Sequence, residues 1–132
     1  MGLRTSGTTV RLTDLKGELI ALKYIDEQEV TSRPEWNGGK EITQDVARAE
    51  VVHVKQGKNG ALTAQLVGRT LVFQQAVAND IRGSRDWAFG LFDEFDRPTA
   101  GAPDATMYEL AVPENINLDD VAAAFEAASI EL

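Results

Sequence analysis

Val46–Gly83 reads VARAEVVHVKQGKNGALTAQLVGRTLVFQQAVANDIRG, and the architecture turns on where its apolar spacing changes. From Val46 to Lys55 the residues alternate. Val46, Val52 and Val54 share one parity, while Ala47, Ala49, Val51, His53 and Lys55 share the other. A period of two is that of an extended strand with two distinct faces. Gln56-Gly57-Lys58-Asn59-Gly60 then supplies turn residues, and a third strand fits Ala61 to Phe73 with a bend near Gly68. After that the period changes. Phe73, Val77 and Ile81 stand four apart with Ala76 and Ala78 between them, and Arg82-Gly83 closes the run. This predicts a short helix with one apolar stripe and a glycine stop.

Upstream, Leu19, Ile20, Leu22, Tyr24, Ile25 and Val30 predict a first strand from about Leu19 to Thr31. Ser32 to Lys40 follows as a loop, broken by Pro34 and Asn37-Gly38-Gly39. Downstream, strands fit Trp87 to Phe95 and Met107 to Val112, joined by the loop Asp96 to Asp104. A last helix is expected near Leu118, with Asn117 as N-cap, Asp119 and Asp120 in its first turn, and Leu118, Val121 and Phe125 as its apolar face. The order is therefore three strands, a short helix, two strands and an appended helix. That is the connectivity of the mainly β, five-stranded Greek-key barrel called the OB-fold, whose helix lies between strands three and four. The competing reading is another small α+β sheet with a helix on one face. The expected organisation is a flexible N-terminus over 1–14, a barrel domain over 15–113, and an acidic helix or tail over 114–132.

Composition narrows the function classes. The chain has 132 residues, 43% of them hydrophobic, enough for one compact domain. No run reaches the roughly 20 apolar residues of a membrane span, since Lys23 interrupts the best candidate, and the first residues lack a secretory apolar core. There is no cysteine and one histidine. A soluble, intracellular protein without cofactor is expected. Gly38-Gly39-Lys40-Glu41 lacks the spacing of a phosphate-binding loop, and Gly83-Ser84-Arg85-Asp86 is no nucleophile elbow. Asp93, Glu94 and Asp96 are the densest carboxylates, but neighbours on a strand point to opposite faces. The chain is not expected to be an enzyme.

Binding chemistry is better represented. Net charge is −8, yet seven carboxylates and no Lys or Arg lie between Thr99 and Leu132, whereas Arg48 to Arg85 holds six basic against two acidic side chains. Single strands of nucleic acid are gripped by cations along the backbone and by aromatic rings that stack on bases, each stack worth about 1–3 kcal/mol. Candidates for such a site are Arg33, Trp36 and Lys40 in the first loop, Arg48, His53 and Lys55 on the second strand, Lys58 in the turn and Arg69 on the third strand. Trp36, between Pro34 and Asn37-Gly38-Gly39, is the expected stacking ring, with Tyr24 or His53 as additional platforms. A second class stays open: an acidic protein–protein module, either a virion component or an inhibitor of a host protein.

Asp14-Leu15-Lys16-Gly17 before a strand, Leu71-Val72-Phe73-Gln74 before a helix, and Ile81-Arg82-Gly83 after it resemble small OB-type proteins encoded by actinobacterial bacteriophages. The similarity spans about Leu15 to Phe92. It implies single-stranded DNA binding in replication or recombination, in the cytoplasm of an infected cell, with no catalytic residue. Bacterial single-stranded DNA-binding proteins are similar in layout, a barrel followed by an acidic end that docks replication and repair proteins. Here the end reads Phe125-Glu126-Ala127-Ala128-Ser129-Ile130-Glu131-Leu132, with its acids dispersed and no Pro-Phe terminus. Homo-oligomers are common among such proteins and remain an open expectation.

Overall fold

A computed structural model describes residues 10–132, with the side chain of Trp36 outside the description. Five strands form one antiparallel sheet: β1 (Glu18–Ser32), β2 (Ile42–Gln56), β3 (Leu62–Val72), β4 (Ala88–Asp96) and β5 (Thr106–Ala111). Their spatial order is β3-β2-β1-β4-β5. Helix α1 (Gln75–Ile81) joins β3 to β4, and α2 (Leu118–Ala127) follows β5. The sheet is open: β3 and β5 are its edges and are not hydrogen-bonded to each other, so barrel closure is not among its ladders.

Strand parity gives the sheet two apolar faces. On the first, Ile20, Leu22, Ala47, Ala49, Val51 and Phe92 pack with Val77, Ala78 and Ile81 of α1. Burying side chains of this size is worth about 1.5–3 kcal/mol each for the larger ones. On the second, Ala21, Val52 and Val54 pack with Val121 and Phe125 of α2. Two irregularities bend the sheet. The β1–β2 register shifts between Tyr24 and Asp26, and the β2–β3 register shifts between Val51 and Val52, where Gly68 has φ 147°. An extra residue in one strand bends it and increases its twist. Beyond β4 and β3, the outer halves of β1 and β2 run on as a two-stranded ribbon, paired to Ser32↔Ile42.

Several expectations change at element ends. Phe73 is 54% exposed and precedes α1, so the helix packs through Val77, Ala78 and Ile81. Leu118 is 67% exposed, and α2 packs through Val121, Ala124 and Phe125. Its cap is as expected: Asn117 Oδ1 accepts from the Asp119 amide at 2.8 Å. Of the N-terminal segment expected to be flexible, residues 1–9 lie outside the described residues. Residues 10–14 belong to the fold. Leu12 opens a 3-10 turn (Leu12–Leu15) and is buried, and the Val10 amide donates to the Arg69 carbonyl at 2.9 Å.

Candidate nucleic-acid interface

Helix α2 covers only one end of the second face. Next to it three charged residues lie directly opposite one another across β1, β2 and β3: Lys23, Glu50 and Arg69. Among the described residues none of the three is in an ion pair, whereas Lys16, Arg33, Arg48, Arg82 and Arg97 all are. The row is a consequence of pleat and register. In β1, Lys23 continues the parity of Leu19 and Ala21, and Glu50 continues that of Val52 and Val54 in β2.

The neighbouring row holds Asp26 opposite Arg48. Arg48 donates from Nε to Asp26 Oδ1 at 2.8 Å and from NH2 to Oδ2 at 2.6 Å, a two-pronged pair. That hydrogen bond holds the Asp26 carboxyl below its ordinary value, helped by the charges of Arg48 and Arg69, and pushes Arg48 up. Arg48 is therefore on the expected face, but its charge is already matched.

Between the charged row and the C-terminal turn lies a cavity of about 400 Å³. Its lining includes Lys23, Glu50, Gln65, Leu66, Trp87 and Ile130. Trp87 forms part of its wall in a fixed pose. The indole Nε1 donates to the Glu131 carbonyl at 2.9 Å, and its ring meets Phe125 edge-on at 5.3 Å. Lys23 Nζ stands 5.7 Å from the ring centroid, within cation–π range.

The other sequence candidates divide among several places. Arg69 shares the face of Arg48. Arg33 and Lys40 are exposed in the loop between β1 and β2, where Arg33 pairs with Glu41 at 3.5 Å. Trp36 lies in the 3-10 turn Glu35–Asn37 of that loop, and its side chain falls outside the described residues. His53 and Lys55 have the parity of Ala49 and Val51 and therefore belong to the first face, which separates them from Arg48 and Arg69. His53 Nε2 is 3.1 Å from Glu18 Oε2. Lys58 is exposed in the β2–β3 turn. Tyr24 packs against the first-face core, and its hydroxyl is pushed up chiefly by a hydrogen bond to Glu27. Lys23 and Glu50 are thus the members that a strand-by-strand reading leaves out of the site, while Trp87, whose place in an alternating aromatic run reads as core or as a stacking ring, forms part of the cavity wall. Alternation of Lys23 with Leu19 and Ala21 is the signal that could have found the first of them. Comparison of the chain with family models, with curated proteins and with solved structures found no match.

Proposed function

We propose that this chain is a non-catalytic single-stranded DNA-binding protein of phage-type replication or recombination, which lays the strand across the uncovered part of the second face. The observation that carries the reading is the Lys23–Glu50–Arg69 row, with both cations outside any ion pair among the described residues and a cavity of mixed polar and apolar lining beside it. Lys23 and Arg69 would take phosphates, Lys40 and Trp36 would extend the path along the β1–β2 loop, and bases would turn toward the cavity. The strand order β3-β2-β1-β4-β5 supports an OB-type barrel in this reading, because it is the order such a barrel has when opened between its third and fifth strands. On that fold the second and third strands and the loop joining the first two are the usual ligand surface.

Titration of a fluorescent oligothymidine at low and high salt tests the proposal. With about three phosphates neutralised, log K is expected to fall with log salt at a slope near −2. Absence of binding at low salt, or an affinity indifferent to salt, would refute it.

The protein–protein alternative has its own support. On the opposite side of the ribbon Glu29 lies directly across from Asp45, while Glu27 on the same side is paired with Arg82, in a chain of net charge −8. A like-charge pair facing across two strands is unfavourable unless a cation covers it. Stable, nuclease-resistant capture of one basic host protein, lost on Glu29→Lys, would favour this reading over strand binding.

A further inference from the structure

We infer that the cavity beside Trp87 is a pocket for a single nucleobase, and that Glu50 reads the base's hydrogen-bonding edge in favour of guanine over thymine. This rests on the strand-binding reading above and adds a specificity that the reading does not contain.

Three observations converge on it. The first is the cavity's shape and lining. About 400 Å³ lies between apolar groups, chiefly Leu66, the Trp87 indole and Ile130, and polar ones, Lys23, Glu50, Gln65, Ser129 and Glu131. Apolar walls with a few placed polar groups suit a flat heterocycle with a polar rim. The second is Leu66, 53% exposed in the middle of a strand, a surface that a bound base would cover. The third is Glu50. It is half-buried, flanked in register by Lys23 and Arg69, and in no ion pair or side-chain hydrogen bond among the described residues. Between two cations a carboxylate offsets part of their pull on phosphates, and it adds to the row an acceptor that phosphates cannot use. The donors on a base edge can use it.

An ionised carboxylate only accepts hydrogen bonds. Guanine offers two adjacent donors, N1–H and the exocyclic amine, which match the two carboxylate oxygens as a two-pronged pair. Thymine offers one N–H between two carbonyls, so one carboxylate oxygen would face a carbonyl without a donor. Adenine and cytosine, each with one exocyclic amine, fall between. Lys23 and Arg69 on either side would hold the flanking phosphates, so the same row grips the backbone and reads the base.

The test uses the full chain with Trp36→Phe, which leaves Trp87 as the single tryptophan, since the sequence has two. Its fluorescence is followed while adding oligothymidine, or an oligonucleotide of equal length alternating guanine with thymine. The guanine-containing strand is expected to bind about tenfold tighter, the usual scale of one good two-pronged base contact, and to change Trp87 emission. Adding Glu50→Gln is expected to bring the two strands within about twofold, with melting temperature unchanged, while Glu50→Asp keeps part of the preference. Equal binding of both strands, a preference that survives Glu50→Gln, or a silent Trp87 overturns the pocket and leaves strand binding standing. If neither strand binds at low salt, both readings fall.

Discussion

Asp26 and Arg48 face each other across β1 and β2, and the consequences run in two directions. The Asp26 carboxyl is held below its ordinary value, first by its hydrogen bond from Arg48. A carboxylate with a folded-state pKa below its unfolded value stabilises the fold above the ordinary carboxylate range, and that contribution is lost as pH falls through the depressed value. Asp26→Asn is therefore expected to melt below the parent protein at neutral pH and to converge with it in acid. A melting gap independent of pH would contradict the assignment. The same substitution frees Arg48 on the face proposed to bind DNA. Affinity for oligothymidine at low salt is expected to rise a few-fold, about what one added phosphate contact supplies. A fall in affinity would mean that the pair, and not Arg48 alone, is part of the surface. At this scale the sequence is only partly legible. Arg48 and His53 group together as residues of one strand, yet five positions of alternation put them on opposite faces. Lys23 reads as an interruption of an apolar run, although its parity already marks it as the polar continuation of the second face.

The elements themselves are easier to read, because a change from alternation to four-residue spacing after β3 fits a switch from strand to helix and little else. Extending that spacing back past the helix start is what fails. Phe73 stands four before Val77, but α1 begins at Gln75, so Phe73 remains outside and exposed. The bulges are also hidden, because a single extra residue shifts register without altering composition. Two substitutions test how the elements meet. Gly90 in β4 is buried where a Cβ would come within 2.7 Å of the Ala111 carbonyl oxygen and 3.1 Å of Leu110 backbone. Backbone cannot yield as a flexible side chain does, so Gly90→Ala is expected to cost about 1–3 kcal/mol in denaturant unfolding. A neutral effect would show that β4 and β5 are not so closely apposed. Phe125, 1% exposed and edge-on to Trp87, anchors α2. Phe125→Ala is expected to cost about 3–5 kcal/mol and to shift Trp87 emission to the red. Loss of stability without a change in emission would separate α2 from the wall of the cavity.

Across the whole molecule, charge is spread unevenly, and the second face carries both signs. Carboxylates dominate the first-face side of the ribbon and the last third of the chain, whose helix α2 packs on the second face, while Lys23 and Arg69 lie on the part of that face beyond α2. The grouping of Lys23 with Arg69 depends on pleat and register, which total charge does not reveal. The order of elements along the chain and the pairing of β2 with β3 are legible from the sequence, but the open edges β3 and β5 are not, since closure depends on twist accumulated over the sheet. The most direct measurement is backbone amide chemical-shift mapping of the isotope-labelled protein during oligothymidine titration at low salt. The largest changes are expected at Lys23, Glu50, Gln65, Leu66, Arg69 and the Trp87 indole, with β5 from Tyr108 to Ala111 silent. Changes centred on β5 or α1, or none at any residue, would contradict binding on the second face.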